Sequence, residues 1–315
     1  TDAVSKLASI PVVADVVNAT NKNALMRKGL EVALGVHPGA LLPEYHSKTL
    51  RKRLGGRTVT GADAVPTATT HGKVILFSTC YGNYNEPQIG ADLAAVFEHN
   101  GIPVTIAAKE QCCGMPKLEV GDLEAVERAK NANVPELLKW VEEGWDIVAP
   151  VPSCVLLFKQ ELPLMFPDDE QVAKVAAAIF DPFEYLMLRH KESLLDTAFN
   201  NALGKVAYHA ACHQRVQNIG PKTKEILNLV QNTEIEMIER CSGHDGTYAV
   251  KKEFHELSMK IGKPVVNRVE KAAADHYSSD CPMAGHHIEN GLMKSSQNNR
   301  PPEHPLTLLR MAYAI

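Results

Sequence analysis

The strongest constraint on the fold is a set of cysteine-bearing segments that occurs twice along the chain. Each segment is a short apolar run with β-branched residues that ends in a cysteine, a pattern typical of a buried strand. KVILFSTC, IPVTIAAKEQCC and WDIVAPVPSC in the first half correspond to KVAYHAAC, TEIEMIERCSG and ADHYSSDCP in the second. Corresponding cysteines are separated by 132, 129 and 127 residues in the pairs Cys80–Cys212, Cys112–Cys241 and Cys154–Cys281. This shared offset predicts a duplicated structural unit.

Between the predicted strands, apolar residues recur at helical spacing. Examples are Ile89, Leu93 and Val96 in the first crossover, and Val134 with Leu137 in the second. Alternating strands and helices are typical of parallel sheets with crossover helices. We therefore predict an α/β fold with two duplicated Rossmann-like βαβ lobes. The predicted divisions are an N-terminal mixed segment (1–71), the first lobe (72–158), a helical connector (159–203), the second lobe (204–292) and a C-terminal tail (293–315).

The cysteines are predicted to lie where such folds bind ligands. In an open parallel sheet, ligands occupy the crevice at the carboxyl ends of the strands, and every cysteine of this chain follows a predicted strand. We expect one thiol-rich pocket in each lobe. The first would contain Cys80, Cys112, Cys113 and Cys154, and the second Cys212, Cys241 and Cys281.

The spacing of the thiols favours iron–sulfur clusters over zinc. Soft thiolate ligands select zinc, copper(I) or iron–sulfur. Structural zinc sites usually draw ligands in close pairs, whereas this chain contains no C-x-x-C. The adjacent Cys112 and Cys113 cannot form an ordinary disulfide without strain, but they could bind different irons of one cluster. Gly114 would let the backbone approach the sulfurs and donate N–H groups to them.

Composition and charge are those of a globular protein without a nucleic-acid partner. Hydrophobic residues make up 45% of the chain and charged residues 22%, and the net charge is −4. No apolar stretch is long enough to span a bilayer, no secretory signal is visible, and seven cysteines without a disulfide framework favour a reducing cytoplasm. The basic segment 47–57 is either a solvated face or a docking site for an acidic partner or an anionic membrane. Peripheral association with the inner face of the membrane therefore stays open.

The cysteine pattern resembles a tandem pair of cysteine-rich CCG domains. Such domains occur in the B subunit of heterodisulfide reductase, in the C subunit of anaerobic glycerol-3-phosphate dehydrogenase, and in iron–sulfur subunits of lactate and glycolate oxidases. The likeness is carried by CCG at 112–114, by CSG at 241–243, and by the phrases LPEYHSKTLRKR, ERCSGHDGTYAVKKEF and SDCPMAG, and it covers about residues 40–292. It implies a metal-binding oxidoreductase subunit that carries iron–sulfur clusters. It also implies a ferredoxin-like source of electrons, either upstream of Thr1 or in a partner.

The chain departs from the family pattern at three positions. Leu157 and Ala284 stand where the family motifs end in a further cysteine, and Ser242 replaces a second vicinal cysteine. The first lobe therefore offers four thiols, which suit a [4Fe-4S] cluster. The second offers three, which suit a [3Fe-4S] cluster or a [4Fe-4S] cluster with another fourth ligand. His209 and His244 are candidates for that ligand, and a hydrogen-bonding or core role is the alternative for each.

Two functions are favoured over two weaker alternatives. The leading hypothesis is an iron–sulfur electron-transfer subunit that passes electrons from a dehydrogenase or ferredoxin-type partner to a quinone or another acceptor. The second is a catalytic iron–sulfur reductase that binds a disulfide-type substrate at an under-ligated iron, with His209 or His213 supplying protons. The third is a thiol-redox or zinc protein with a strained, reactive Cys112–Cys113 pair. The fourth is a scaffold that keeps the fold without a cofactor.

Overall fold

Two parallel sheets form the framework, one in each lobe. The computed structural model describes residues 7–55, 63–295 and 301–315, so Arg57 of the basic segment lies outside the described residues. The strands of the first sheet are β1 (Val74–Leu76), β2 (Val104–Ile106), β3 (Asp146–Val148) and β4 (Ile179–Phe180), and those of the second are β5 (Gly204–His209), β6 (Thr233–Ile238) and β7 (His276–Ser279). This is the α/β architecture with two parallel sheets that the sequence predicts.

The two sheets share the same central arrangement. Their strand orders are β2–β1–β3–β4 and β6–β5–β7, and every pairing is parallel. The first strand of each lobe is therefore flanked by the second and third strands of that lobe. Because the strands are parallel, their carboxyl ends meet at one edge of each sheet, and the segments that follow them are brought together there.

Helices surround the sheets and form both ends of the described chain. The N-terminal segment and first lobe contain α1 (Pro11–Lys22), α2 (Ala24–Leu34), α3 (Leu50–Leu54), α4 (Cys80–Tyr84), α5 (Pro87–His99), α6 (Met115–Leu118), α7 (Leu123–Glu142), α8 (Pro152–Leu156), a π-helix (Leu157–Glu161) and α9 (Leu162–Met165). The remainder contains α10 (Glu170–Ala178), α11 (Pro182–Lys191), α12 (Cys212–Arg215), α13 (Lys222–Leu227), a 3-10 helix (Tyr248–Val250), α14 (His255–Ala272), α15 (Pro282–Ser295) and α16 (Pro305–Tyr313). None of the helices in the described residues is both long and apolar enough to cross a membrane.

One apolar core continues from the first lobe into the second. Leu76 and Phe97 of the first lobe, Tyr208 of the second and Leu308 of α16 belong to the same buried cluster. The helix α16 packs against α5 in the first lobe and α13 in the second. Burial of apolar surface on both sides of α16 therefore stabilises the lobes against one another.

The segment 159–203, which is predicted to be helical, also contributes a strand. In β4, Ile179 pairs with Ile147 of β3 and is 1% exposed. An apolar β-branched residue placed beside a buried parallel strand completes the sheet on that side. The run between α10 and α11 is too short for its periodicity to reveal the strand.

Apolar residues at helical spacing around the start of α14 are exposed. Phe254, Leu257 and Ile261 are 40%, 50% and 41% exposed. The buried positions in this half of the helix are instead polar or small, and they include Ser258 and Gly262. This face of α14 packs against the loop that carries Cys241, which explains the choice of small residues.

Candidate functional site

The four cysteines of the first lobe lie at the carboxyl edge of its sheet and line one cavity. Cys80 begins α4, Cys112 and Cys113 lie in the loop after β2, and Cys154 lies in α8. The cavity has a volume of about 1230 Å³. Cys113 and Cys154 are buried, whereas Cys80 and Cys112 are half-buried. The structure thus brings together the four thiols that the sequence pattern groups in this lobe.

Thiols in the first lobe are close enough to hydrogen-bond with one another. Hydrogen bonds with the Cys112 and Cys154 thiols, together with burial, raise the pKa of the Cys113 thiol well above its usual value. Neighbouring thiols cannot all ionise unless a positive charge compensates them. A metal cluster supplies that charge and binds the deprotonated thiolates, so this donor set fits an iron–sulfur cluster.

The loop that contains Cys112 and Cys113 is held by one polar side chain of α7. Asn133 is 1% exposed, and its Oδ1 accepts a hydrogen bond from the Gln111 N–H at 2.8 Å. Its Nδ2 donates to the Cys112 carbonyl oxygen at 3.2 Å. The buried amide therefore satisfies backbone groups on both sides of the first cysteine of the pair.

Gly114 is required by both the conformation and the packing of the same loop. Its φ is 111°, and a Cβ at this position would lie 3.3 Å from Ala129 Cβ. Glycine adopts positive φ without the strain that other residues incur. Leu157 is fully buried beside this point, with its Cδ2 3.7 Å from the same hypothetical Cβ. An apolar side chain therefore fills the space at the position where the family motif ends in a cysteine.

An ion pair connects the N-terminal segment to the loop. The Glu110 side chain is 6% exposed and accepts hydrogen bonds from the Ser78 backbone N–H at 2.9 Å and from the Ser78 hydroxyl. It also forms an ion pair with Arg51, whose Nη2 lies 2.7 Å from Glu110 Oε1. Arg51 Nη1 also donates to the carbonyl oxygen of Ala108 at 3.1 Å. Arg51 belongs to the basic segment that was expected to be a solvated face or a docking site. The structure uses this arginine to hold the chain after β2.

The cysteines of the second lobe also follow its strands, but two of them face the surface. Cys212 and Cys241 are exposed, and Cys281 is half-buried at the start of α15. Cys212 is exposed as a residue, but partial burial of its thiol, followed by the nearby Cys241 thiol, raises its pKa. Burial raises the pKa of Cys281 to about 11, although two backbone N–H groups of α15 bond its sulfur. The thiol-rich pocket expected in the second lobe stays a prediction, and two of its three proposed thiols are exposed.

The loop after β6 docks on α14 as the first loop docks on α7. Ser258 Oγ donates a hydrogen bond to the Gly243 carbonyl oxygen at 2.7 Å. Gly262 permits the approach, because a Cβ there would lie 2.4 Å from the Ser242 carbonyl oxygen. Ser242 is 4% exposed, and its Oγ accepts a hydrogen bond from the His244 N–H at 3.2 Å. The serine that replaces a vicinal cysteine therefore stabilises the turn.

The structure places the candidate histidines in different surroundings. His209 is 1% exposed, its Nδ1 lies 2.9 Å from Ser279 Oγ, and its Nε2 lies 3.0 Å from the Arg240 carbonyl oxygen. Both ring nitrogens are occupied, so neither is free to bind iron in this arrangement. His244 lines the cavity beside the first-lobe thiols, and burial lowers its pKa to about 4. His213 lies next to Cys212, and burial lowers its pKa as well.

A second group of potential metal ligands lies away from the cysteines. His37, His255 and Glu256 bring three ligand atoms within 4.8 Å of one another. Lys294 Nζ, however, lies 2.9 Å from His255 Nε2. An ammonium in contact with the ligand nitrogen opposes a second cation there.

The N-terminal segment and the second lobe complete the wall of the cavity. The segment contributes Arg27, Tyr45 and residues 40–44, and the second lobe contributes His244, residues 245–250, Phe254, Met283, His286, His287 and Glu289. Arg27 is 5% exposed and donates from Nη2 to the carbonyl oxygens of His37 and Ala40 at 2.7 and 2.6 Å. Its Nη1 has no hydrogen-bond partner among the described residues. An unpaired buried donor is costly, and Arg27 is one of the polar residues that line the cavity.

Two stretches of the chain match the same protein-family model. The model describes a cysteine-rich domain, CCG, and it matches residues 74–159 and 206–289, which contain all seven cysteines. This chain belongs to the CCG cysteine-rich domain family. The matched stretches are called the first and second CCG domains below, and their parallel sheets agree with a duplicated domain.

Several curated proteins are similar to this CCG protein. The C subunit of anaerobic glycerol-3-phosphate dehydrogenase from Escherichia coli K12 is 29% identical over 303 residues, which cover 96% of this chain and 73% of the relative. The B subunit of the fumarate reductase (CoM/CoB) from Methanothermobacter marburgensis is 27% identical over 247 residues, covering 77% of this chain and 47% of the relative. Lactate utilization protein A 2 from Bacillus mycoides is 26% identical over 215 residues, covering 66% of this chain and 87% of the relative. Two of these relatives are named as subunits of redox enzymes.

The residues that position the cysteines in the two CCG domains were not predicted from the sequence. Asn133 lies on the helix that follows Cys112 and Cys113, and it hydrogen-bonds to their loop. Ser258 lies on the helix that follows Cys241 and hydrogen-bonds to the corresponding loop of the second domain. Arg51 and Glu110 brace the first loop from outside. One signal in the sequence could have indicated Asn133. It is a polar residue next to Val134, which belongs to the apolar face of the crossover helix.

Proposed function

We propose that this CCG protein is an iron–sulfur electron-transfer subunit of a redox complex. The observation that carries the proposal is the different exposure of the two cysteine groups. Four thiols line a large cavity, whereas Cys212 and Cys241 of the second domain are exposed. A buried group beside a cavity suits exchange with a small molecule, and an exposed group suits exchange with a protein.

The proposed ligands are the seven cysteines. Cys80, Cys112, Cys113 and Cys154 would hold a [4Fe-4S] cluster, and Cys212, Cys241 and Cys281 would hold a [4Fe-4S] or [3Fe-4S] cluster. When bound, the clusters supply one-electron transfer at potentials that depend on burial and on hydrogen bonds to sulfur. The chain contributes such bonds, for example from the Gly243 N–H to Cys241 Sγ at 3.4 Å.

The proposed partners follow from the same arrangement. A dehydrogenase or ferredoxin-type partner would dock over Cys212 and Cys241, and a quinone or another small acceptor would bind in the cavity. The unpaired Nη1 of Arg27 supports a ligand with a hydrogen-bond acceptor, and apolar residues such as Leu41 and Phe254 support one with an apolar body. The redox-enzyme names of two relatives support a place in a larger complex.

We also propose a cytoplasmic location with peripheral association at the inner face of the membrane. Free cysteines persist in reducing compartments. The hairpin of α1 and α2 exposes apolar side chains, with Val12 at 73%, Leu25 at 77% and Val32 at 87% exposure. An amphipathic surface of this kind can lie in the membrane interface without spanning it.

The alternative is a catalytic reductase that acts on a disulfide-type substrate at an under-ligated cluster. It is favoured by direct access from the cavity to the first-domain thiols and by His244 beside them. The two functions differ in whether a substrate disulfide binds directly at a cluster. Only the alternative expects that disulfide to shift the electron paramagnetic resonance signal of a reduced cluster.

The proposal is tested by anaerobic purification with iron, acid-labile sulfide and electron paramagnetic resonance analysis. We expect brown protein, clusters that a chemical reductant reduces, and reoxidation of those clusters by a soluble quinone. Protein that is colourless and free of sulfide without any exposure to air would overturn both cluster-based functions.

A further inference from the structure

His286 connects the two CCG domains through a carboxylate on each of its ring nitrogens. Its Nε2 lies 2.7 Å from Glu86 Oε1, and its Nδ1 lies 2.7 Å from Glu289 Oε2. Glu86 directly precedes α5 in the first domain, whereas His286 and Glu289 lie one turn apart on α15 in the second. All three residues line the cavity that contains the first-domain thiols.

The geometry of this triad requires a stored proton. A neutral imidazole carries only one N–H, so it can donate to only one of two carboxylates. Two contacts of 2.7 Å therefore need an imidazolium or a protonated carboxyl group. Burial would lower the pKa of His286, but the hydrogen bonds and charges of Glu289 and Glu86 raise it to about 9.

Other titratable groups face the triad from the neighbouring elements. Glu44 faces it from the N-terminal segment and is itself paired with Lys22 at 2.6 Å. The charge of His46, in the same segment, helps to lower the pKa of Glu44. Tyr81 faces the triad from α4, and burial together with the charge of Glu86 raises the pKa of its hydroxyl. A loaded triad carries one positive and two negative charges, so the loss of its proton leaves two adjacent carboxylates without a counter-charge.

The contribution of the triad to stability alone does not explain two carboxylates on one histidine. Partly exposed ion pairs stabilise a fold by only about 0–1 kcal/mol. The side chains of His286 and Glu86 are 29% and 28% exposed, and that of Glu289 is 9% exposed. The proton on Nε2 is thus held on the accessible side of the triad, while Glu289 fixes the ring from the buried side.

We propose that the Glu86–His286–Glu289 triad donates the proton that an electron acceptor in the cavity takes up with its electrons. This inference rests on the proposed electron-transfer function. The acceptor gains two electrons, delivered one at a time by the reduced iron–sulfur clusters of the proposed function, and one proton. The N–H bond at His286 Nε2 breaks, and an O–H or S–H bond forms on the acceptor. Solvent then returns a proton to the triad and supplies any second proton that the acceptor requires.

The chemistry of the triad fits acceptors that become weak-acid anions on reduction. A general acid works best when its pKa is close to that of the group it protonates. Phenol-type and thiol-type groups have ordinary pKa values of about 10 and about 8.5, on either side of the value for His286. Quinones and disulfides share this chemistry, and the experiment therefore includes one acceptor of each kind.

The test compares wild-type protein with His286→Gln, Glu86→Gln and Glu289→Gln. His276→Gln is the matched control, because His276 pairs with the carboxylate of Glu303 at 2.6 Å and does not line the cavity. Anaerobic protein reduced with dithionite is mixed with a water-soluble quinone, with a small disulfide, or with ferricyanide, which takes up no proton. Nitrogen-15 spectra of the oxidised protein follow the protonation of the His286 ring between pH 6 and pH 10.

We expect His286→Gln to slow the reduction of the quinone, the disulfide or both by about 100-fold, the lower range for loss of a general acid. Ferricyanide reduction, iron content and the His276→Gln control should be unchanged. If His286→Gln slows the reduction of just one of the two acceptors, that result identifies the class of acceptor that the cavity binds. The inference is overturned if His286 is neutral at pH 7 in the spectra, or if wild type reduces an acceptor and all three triad variants match His276→Gln. Failure of wild type to reduce either acceptor would instead refute the proposed function.

Discussion

The side-chain amide of Asn133 donates a hydrogen bond to the carbonyl oxygen of Cys112 at 3.2 Å and accepts one from the preceding residue, Gln111. This contact fixes the only pair of adjacent thiols in the sequence to a helix of the framework. Ser258 holds the corresponding loop of the second domain through Gly243. The two cysteine loops are therefore positioned by side chains that lie outside the motifs.

Replacement of Asn133 by Ala should destabilise the first domain. The change removes two part-buried hydrogen bonds to the loop backbone, each worth about 0.5–1.5 kcal/mol. Asn131→Ala is the control, because Asn131 is exposed on the same helix. Urea unfolding of the metal-free proteins measures the difference, and equal midpoints for the two variants would show that Asn133 does not support the loop.

Gly114→Ala should lower the iron content of the protein, whereas Gly121→Ala should not. Both glycines have positive φ, at 111° and 75°, so both substitutions strain the backbone by about 1–3 kcal/mol. Of the two, only Gly114 has neighbours within 4 Å of a new Cβ, and the nearest is Ala129 Cβ at 3.3 Å. Iron per protein after anaerobic reconstitution is the measurement. An equal loss of iron in the two variants would show that backbone strain, and not contact with Ala129, causes the effect.

Cys113→Ser should remove one cluster, whereas Ser242→Ala should leave both in place. Cys113 is buried among the first-domain thiols, whereas the Ser242 hydroxyl accepts a hydrogen bond from the His244 N–H. Ser242→Ala should cost about 0.5–1.5 kcal/mol, the net value of one hydrogen bond. Acid-labile sulfide and the visible spectrum report the clusters. Bleaching by Ser242→Ala would show that the proposed ligand set is wrong.

Acid should weaken the contact that His304 makes between the domains. Its Nε2 donates to the carbonyl oxygens of Pro150 and Asp280 at 3.2 and 3.0 Å, and its Nδ1 accepts from the Leu306 N–H. Burial lowers the pKa of His304 to about 4, so the neutral ring stabilises the fold above pH 6.5 and this stability is lost as the pH falls towards 4.

The stability change between pH 7 and pH 5 should therefore be smaller in His304→Gln than in wild type. The expected difference is roughly 2 kcal/mol, which follows from protonation of the unfolded chain alone over this range. Thermal unfolding at the two pH values provides the measurement. An identical pH dependence in both proteins would refute this role of His304.

Substitution of the exposed apolar residues of α1 and α2 should weaken binding to vesicles. Burial of one such side chain is worth about 1.5–3 kcal/mol, so Leu25→Asn should reduce the binding constant about tenfold or more. Leu164→Asn is the control, because Leu164 is 76% exposed, as Leu25 is at 77%, but lies outside the hairpin. Flotation with anionic phospholipid vesicles measures binding, and an equal loss in both variants would argue against a membrane-facing hairpin.

The sequence by itself determined the features that depend on neighbours along the chain. Apolar runs such as VIL at 74–76, the helical spacing of Leu93 and Phe97, and the offset between Cys80 and Cys212 were enough to predict the duplicated α/β fold. Parallel strands place their carboxyl ends at one edge, so the grouping of the first-domain cysteines also followed.

Only the tertiary structure decided which groups are buried and which are exposed. Residues 40–46 help to line the first site, whereas Cys212 and Cys241 of the second are exposed. Arg51 reaches Glu110, and Glu86 reaches His286 across 200 residues of sequence. Such contacts depend on how the two domains and the N-terminal segment pack, and the local periodicity that reveals strands and helices contains no information about them.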